Sequence, residues 1–224
     1  MIQISAQPLN ISDFNPYGSI VSPEEEVAKA SDSAKNANQG TAIKILQVSS
    51  VQNTFPQPYG IRTPNWNIFR CFPQQNLKRE IISDSSDHIT HNFKVLEKHP
   101  YSSQTFLPMG YPENKIGYLI IVALPDSTGE PDLATLKAFT CKGTQAVTYG
   151  AGIWHAPMIV VGEVDYLDFA VLIHELLDSD KPEMDCVERL YPENELTVKL
   201  CIWDEKYIRS KSADQFKFRT FAYF

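Results

Sequence analysis

The chain has 224 residues, and its hydrophobic content of 43% is enough for a sizeable core. A formal net charge of −7 at pH 7 argues against a general nucleic-acid-binding or anionic-membrane-binding protein. The four cysteines are widely spaced without a Cys-x-x-Cys pair, which predicts neither a zinc ribbon nor a disulfide framework. No apolar run reaches membrane-spanning length and no secretory leader is evident, so we expect a cytoplasmic protein.

The amino-terminal part predicts a strand, a turn and one short helix. Ile2–Val21 contains two prolines and a glycine, a pattern typical of a short strand followed by a turn. Ser22 can cap a helix, Pro23 suits its first position, and Glu25 completes a capping box. These signals predict a helix near residues 22–36.

From residue 42 onward, apolar runs of strand length alternate with segments rich in turn residues. Leu133–Phe139 is the exception and predicts a short helix. Many short strands with few helices, together with 15 prolines and ten glycines, predict a mainly β fold. We expect one domain over residues 1–224, with a carboxy-terminal extension over 204–224 whose aromatic residues dock as an edge strand or at a dimer contact. The predicted strands are Ile43–Val51, Trp66–Phe72, His91–Glu97, Tyr118–Leu124, Tyr166–Leu177 and Leu196–Ile202.

The most informative stretch is Tyr149–Pro157, Tyr-Gly-Ala-Gly-Ile-Trp-His-Ala-Pro. Gly150 and Gly152 allow a tight turn or a close approach to a ligand between two strand-like runs. The turn delivers His155 to the mouth of two strands, which is a common way to seat a reactive imidazole. The alternative is that His155 is an ordinary buried or surface histidine and the glycines only shape a hairpin.

A second stretch, Leu96–Pro108, combines a carboxylate, an imidazole and an amide. If the strand continues to His99, then Glu97 and His99 face one way and Lys98 the other. A carboxylate beside an imidazole can tune it as a base, or both groups can bind a metal. Gln104 adds an amide that both donates and accepts hydrogen bonds. The alternative is a polar barrel rim with an ordinary surface ion pair.

Several motifs in this order resemble the ureidoglycolate lyase family, and we identify the chain as a fungal member of it. The resemblance extends from about Pro8 to Val171 and covers most of the chain. The matching motifs are Glu-Lys-His-Pro-x-x-Ser-Gln-x-Phe-x-Pro at 97–108, Gly-x-Trp-His-x-Pro at 152–157, Asn38–Ala42, Asn67–Arg70 and the Pro8–Val21 segment.

The resemblance implies a cupin-like antiparallel β barrel with a few short helices, assembled as a homodimer. It also implies a lyase that cleaves ureidoglycolate into glyoxylate and urea during allantoin (purine) degradation. Two positions depart from the family pattern. The family often has a second histidine after the Trp-His pair, where this chain has Ala156, and often has arginine where this chain has Lys98.

Ureidoglycolate carries a hydroxyl, a ureido nitrogen and a carboxylate on one carbon. Its cleavage needs a base for the hydroxyl proton and a donor for the departing urea, and histidine suits both roles because its pKa lies near neutral pH. The substrate carboxylate needs fixed donors, for which Arg70 or Lys44 are candidates. We predict His99, His155 and Glu97 as catalytic residues. The predicted substrate-binding residues are Gln104, Ser103, Trp154, Tyr149, Arg70 and Lys44.

Two other functions fit the same residues. One is a cupin-like metalloenzyme, such as a dioxygenase or isomerase, although the dense His-x-His…Glu cluster of a metal-binding cupin is missing from the sequence. The other is a non-catalytic barrel that binds a small acid. The sequence leaves open whether a divalent metal is used; its ligands would be His99, Gln104 and His155.

Overall fold

The computed structural model describes residues 1–29, 34–60, 63–82 and 87–201. The helices are α1 (Ile11–Phe14) and α2 (Pro23–Lys29), with 3-10 turns at Asn38–Gly40, Gln75–Leu77, Leu133–Thr135 and Pro182–Met184. The strands are β1 (Ile2–Pro8), β2 (Gly18–Val21), β3 (Ala34–Ala37), β4 (Ala42–Ile45), β5 (Asn65–Cys71), β6 (His88–Phe93), β7 (Val95–Lys98), β8 (Gln104–Met109), β9 (Ile116–Ala123), β10 (Lys137–Lys142), β11 (Ala146–Tyr149), β12 (Trp154–His155), β13 (Ile159–Val160), β14 (Leu167–Ile173), β15 (Val187–Leu190) and β16 (Leu196–Cys201).

The strands form a nine-stranded sheet, a five-stranded sheet and the β3–β4 hairpin. The nine-stranded sheet has the order β15-β7-β12-β9-β10-β1-β16-β6, with β13 also paired to β9, and the five-stranded sheet has the order β2-β11-β8-β14-β5. All pairings are antiparallel except those of β1, which runs parallel to both β10 and β16. The prediction of a mainly β fold with few short helices is confirmed, and the curled sheet is consistent with the cupin-like architecture that the resemblance implies.

The nine-stranded sheet is curled into a half-barrel, and its connectivity requires this. Strand β6 lies at one end of the sheet, and β7 lies next to the other end. Only Lys94 separates these two strands along the chain. Because one residue spans only about 3.8 Å, the two ends of the sheet must approach each other.

Two apolar cores lie on the two faces of the nine-stranded sheet. The first core fills the space between the two sheets, where the Tyr118 ring meets the Phe169 ring edge-on at a centroid distance of 5.2 Å. The second core lies on the opposite face and includes Trp154 and Leu196. Strand β9 contributes to both cores, which explains why its sequence is almost continuously apolar rather than alternating.

The five-stranded sheet has one face on the first core and one face in solvent. Register aligns Ile68, Ala170 and Leu107 in one row of the solvent face. We call the exposed side chains Trp66, Ile68, Leu107 and Met109 the outer apolar face. An exposed patch of this kind is typical of an interaction surface.

The structure differs from the sequence predictions at its helices. The helix predicted near 22–36 covers Pro23–Lys29 only, and Ala34–Ala37 is a strand. No residue of this helix is buried, so the core provides no packing that would lengthen it. The helix predicted over Leu133–Phe139 is a 3-10 turn capped by Asp132, and its second half belongs to β10, which fills the place between β9 and β1.

The strand predicted over His91–Glu97 is divided at Lys94 into β6 and β7. The predicted extension over 204–224 lies outside the described residues. Among the helices that the structure describes, none combines the length and the hydrophobicity needed to cross a membrane.

Candidate active site

Strand pairing brings the two informative stretches of the sequence together. His155 in β12 lies directly opposite Glu97 in β7, and the Glu97 Oε1 to His155 Nε2 distance is 3.7 Å. His99 follows β7 on the same face as Glu97, and its ring centroid lies 5.6 Å from that of His155. Tyr149 stacks on His155 with a centroid distance of 4.1 Å, and it pairs with Gln104 across β11 and β8. We call Glu97, His99, Gln104, Tyr149 and His155 the site cluster.

The glycine turn between β11 and β12 holds this arrangement. Gly152 has a φ of +76°, in the left-handed region that favours glycine, and its N–H donates to the His99 carbonyl oxygen at 2.8 Å. Gln52 accepts from the Ala151 N–H at 2.9 Å through its side chain, and its own N–H donates to the Ser103 hydroxyl at 2.8 Å. The loop around Gln52 therefore ties together the two stretches that carry the histidines.

Both imidazoles present Nε2 as an acceptor. His99 Nδ1 lies 2.6 Å from the Asp185 carbonyl oxygen, and His155 Nδ1 lies 3.0 Å from the Ile153 carbonyl oxygen. A carbonyl oxygen only accepts hydrogen bonds, so each neutral ring carries its proton on Nδ1. The lone pair of each Nε2 is left for the site.

The site cluster contains four buried polar atoms without a hydrogen-bond partner. They are all the buried side-chain nitrogens and oxygens that lack one within residues 1–29, 34–60, 63–82 and 87–201. Buried polar atoms in native proteins are normally paired, because an unpaired one costs about 1–3 kcal/mol. Four such atoms in one place indicate a site that is completed by a ligand. The atoms are His99 Nε2, Gln104 Oε1, Tyr149 Oη and His155 Nε2.

Burial sets the protonation of the site cluster. It lowers the pKa of His155 to about 3, with a further contribution from His99 and an opposing one from the Ile153 carbonyl. Burial also lowers the pKa of His99, and the Asp185 carbonyl, the Glu175 carboxylate and the Gln104 side chain oppose this shift. It raises the pKa of Glu97 to about 7, and the Glu188 carboxylate adds to this effect.

Below about pH 7, Glu97 and His155 therefore form a neutral pair, although their separation would allow an ion pair. Both pKa shifts disfavour charge: the carboxyl holds its proton and the imidazole does not take one. Tyr149 keeps its hydroxyl proton as well, because burial raises its pKa well above the ordinary value. The site thus offers two bare imidazole nitrogens, a hydroxyl donor and a carboxyl group able to give or take a proton at neutral pH.

The same atoms fit a divalent cation. One donor atom from each of Glu97, His99 and His155 lies within 4.8 Å of the others. Hydrogen bonds from Nδ1 to backbone carbonyls are the usual support for imidazoles that bind metal through Nε2. A second group joins Glu97 to Cys186 and Glu188. It suits a metal less well, because burial raises the pKa of the Cys186 thiol to about 12 and keeps it protonated.

Two predicted substrate-binding residues lie close to the cluster but face elsewhere. Trp154 lies on the other face of β12, in the second core, and its Nε1 donates to the Gly129 carbonyl oxygen at 3.0 Å. Adjacent residues of a strand point to opposite faces, so Trp154 and His155 cannot share one pocket. Ser103 is buried, and its hydroxyl accepts the Gln52 N–H, a contact that supports the loop.

The two cations predicted to bind the substrate carboxylate also lie away from the cluster. Arg70 forms a two-point ion pair with Asp168, both bonds at 2.8 Å, on the solvent face of the five-stranded sheet. Lys44 is exposed on the β3–β4 hairpin. Both expectations rested on charge alone, and the structure assigns neither residue to the site.

The two departures from the family pattern also lie outside the cluster. Ala156 is buried in the second core, on the face opposite His155. Lys98 donates to the Gly129 carbonyl oxygen at 2.6 Å and lies over the Trp154 ring. Because both side chains point away from Glu97, His99 and His155, neither departure removes a group from the site.

Sequence reasoning missed the residues that support the cluster. Asp185 supplies the carbonyl that orients His99, and Glu188 raises the pKa of Glu97. Both lie in a stretch that reads as a charged loop. A backbone carbonyl has no residue-type signature, so only β15, which pairs with β7, could have indicated this neighbourhood.

Comparison with known proteins shows the family of the chain. A sequence profile described as ureidoglycolate lyase matches residues 1–199. A ureidoglycolate lyase of Saccharomyces cerevisiae is 51% identical over 198 residues, which cover 88% of this chain and 99% of the relative. One of Schizosaccharomyces pombe is 39% identical over 163 residues, covering 72% and 80%, and one of Burkholderia mallei is 30% identical over 172 residues, covering 77% and 82%. Two of these three relatives are from fungi, as expected. The chain belongs to the ureidoglycolate lyase family.

Proposed function

We propose that this protein cleaves ureidoglycolate into glyoxylate and urea, a step of allantoin and purine degradation. The observation that carries this proposal is the set of four unpartnered polar atoms in the site cluster. The substrate is small and presents hydroxyl, amide and carboxylate groups that can pair with them. Relatives that cover the same length of chain are named for this activity.

In the proposed reaction, His99 is the base and Glu97 is the acid. His99 Nε2 takes the proton of the substrate hydroxyl, and the oxygen forms the aldehyde of glyoxylate as the carbon–nitrogen bond breaks. Protonated Glu97 gives its proton to the departing urea nitrogen. The donor atoms of the two residues lie within 4.8 Å, so the proton gained by His99 can return to Glu97 after product release. No water molecule is consumed.

The remaining atoms of the cluster orient the substrate. Gln104 Oε1 and His155 Nε2 are acceptors that suit the N–H groups of the ureido end. Tyr149 Oη is a donor, and its stacking on His155 fixes the plane of that ring. A site that is buried and already directed at its ligand strengthens each hydrogen bond when water leaves.

A divalent cation would be held by His99, His155 and Glu97. It would supply a Lewis acid at the substrate hydroxyl and carboxylate. In that case Nε2 of both histidines would serve as ligand, and Tyr149 and Gln104 would keep their orienting roles. Neither a different metal-dependent reaction nor simple binding of a small acid is favoured by any feature of the described residues.

We further propose that the protein forms a homodimer through the outer apolar face. Four large apolar side chains share this solvent face, and the Arg70–Asp168 pair lies at its border. A second copy of the same surface would cover them in an isologous contact.

Ile68→Glu should give a monomer by light scattering, whereas Val27→Glu, at an exposed apolar residue of α2, should leave the dimer intact. Monomeric wild type at micromolar concentration would refute this assembly. The expected cytoplasmic location stays a prediction.

The central test is release of glyoxylate from ureidoglycolate by purified protein, measured with a coupled dehydrogenase. Urea should appear in equal amount, and ammonia should not appear. Release of ammonia would show that the ureido group is hydrolysed instead. His155→Ala provides the matched negative control, because it removes an orienting atom of the cluster.

A further inference from the structure

The connection between β14 and β15 contains, near its end, the backbone carbonyl that orients His99. It leaves β14 after Ile173 and enters β15 at Val187. Near its end, the Asp185 carbonyl oxygen lies 2.6 Å from His99 Nδ1. This carbonyl is the partner that assigns the His99 proton to Nδ1, so the position of Asp185 affects the site cluster directly.

The Asp185 side chain fastens the beginning of the same connection. Its Oδ1 accepts the backbone N–H of Leu176 at 2.6 Å, and its Oδ2 accepts that of Leu177 at 2.6 Å. Leu177 has a φ of +55°, a left-handed conformation that is uncommon for leucine and is retained only when its surroundings impose it. Both carboxylate oxygens are used, so this is a two-point clamp across the connection.

Backbone contacts on either side leave Asp185 little freedom. The N–H groups of Asp185 and Cys186 both donate to the Pro182 carbonyl oxygen at 3.0 Å. Two residues after Asp185, Val187 pairs with Lys98, the residue before His99. The clamp fixes one side of Asp185 and the strand fixes the other.

We propose that Asp185 is a positioning residue of the site: its carboxylate clamp sets its own carbonyl, which keeps the proton of His99 on Nδ1 and directs Nε2 towards Glu97 and His155. Without this partner the His99 ring is free to exchange tautomers or to turn about Cβ–Cγ. Either change would remove the Nε2 lone pair from the cluster. The requirement is the same whether Nε2 takes a proton or binds a cation.

The inference about the tautomer stands on geometry, and its consequence for catalysis rests on the proposed function. The test compares Asp185→Ala, Asp185→Asn and a matched control, Asp180→Asn, in the same connection. Asp180 is exposed, and the contacts that fix His99 do not include its side chain. Spectra of the ring nitrogens in ¹⁵N-histidine-labelled protein report the tautomer, with the His99 signals assigned by their loss in His99→Gln.

We expect wild type and Asp180→Asn to show a protonated Nδ1 and equal turnover. Asp185→Ala should show mixed tautomers and about a 10–100-fold lower kcat, the range for loss of an outer partner of a functional histidine. KM should change much less, because the groups that contact the ureido end remain. Asp185→Asn should lie between the two, since its amide oxygen replaces one of the two acceptors.

The proposal is overturned if Asp185→Ala and Asp185→Asn keep a single Nδ1–H tautomer and wild-type kcat per folded molecule, even if their melting temperatures fall. Should Asp185→Ala not fold, Asp185→Asn decides by the same two measurements. If the wild type does not cleave ureidoglycolate, the proposed function fails. The nitrogen spectra still decide whether Asp185 sets the His99 tautomer.

Discussion

Replacing Glu97 with glutamine should stabilise the fold in neutral and alkaline solution. The side chain is 20% exposed, and burial raises the pKa of its carboxyl from 4.5 to about 7. Folding therefore opposes ionisation of this group. Glutamine has the same shape and stays neutral at every pH, so Glu97→Gln removes the cost of burying the charge.

The direction of the stability change follows from the pKa of Glu97 in the unfolded chain and in the folded chain. Below about pH 4.5 the carboxyl is protonated in both folded and unfolded chains, and the variant gains nothing. Between pH 4.5 and about 7 the unfolded chain releases the proton first, so the wild type loses stability as the pH rises. Above pH 7 the cost is complete. A difference of about 2.5 pKa units at 1.36 kcal/mol each corresponds to about 3 kcal/mol, an upper limit for a partly exposed group.

Urea unfolding at pH 5 and pH 8.5, with a chelator present, measures this difference. Glu97→Gln should exceed the wild type by at most about 1 kcal/mol at pH 5 and by up to about 3 kcal/mol at pH 8.5. Glu193→Gln, at an exposed residue paired with Lys94, should stay within about 0.5 kcal/mol at both pH values. A Glu97→Gln effect that is equal at the two pH values, or destabilising at pH 8.5, would refute the reasoning.

Three further predictions follow from the site cluster. His99→Ala and His155→Ala should each lower turnover at least ~10²-fold while the protein still melts cooperatively. His99→Ala removes the general base and His155→Ala an orienting acceptor, and neither removes a side chain of the two apolar cores. Loss of folding in both variants would count against this. Tyr149→Phe keeps the stacked ring but removes the donor, so kcat/KM should fall about 10-fold, while the ligand-free protein should gain about 1–3 kcal/mol of stability because a buried hydroxyl without a partner is removed; unchanged kinetics would exclude Oη from the site. Binding of Ni²⁺ or Zn²⁺ should release about one proton at pH 6 and almost none at pH 8.5, because Glu97 is protonated only at the lower pH; calorimetry in buffers of different ionisation enthalpy measures this, and Glu97→Gln should show no release at either pH.

The sequence was sufficient where strand alternation decides the geometry. A period of two predicts Glu97 and His99 on one face with Lys98 opposite, and the glycine turn predicts His155 at the mouth of two strands; the structure brings these groups together. The same rule separates Arg70 from the first core, because the ring of its neighbour Phe69 packs against Phe106 and adjacent residues of a strand point to opposite faces. The expectation for Arg70 rests on its charge and not on its register in the strand.

The sequence was insufficient where function depends on backbone atoms or on long-range contacts. The Asp185 carbonyl orients His99 across 86 residues of sequence, and any residue type has such a carbonyl. The pKa of Glu97 depends on burial and on Glu188 in another strand. Neither property can be read from composition or local spacing.

The parallel placement of β1 has a consequence for how the chain folds. Strand β1 is synthesised before the other strands that the structure describes, yet its two partners are β10, beginning at residue 137, and β16, beginning at residue 196. The nine-stranded sheet therefore cannot close during synthesis from the amino terminus. Pairings so distant in sequence slow folding, and a strand is prone to aggregation until its partner strands have been synthesised. Expression should benefit from chaperones that shield nascent strands, and a fusion that restrains residues 1–8 should lower the yield of folded protein more than one attached beyond β16.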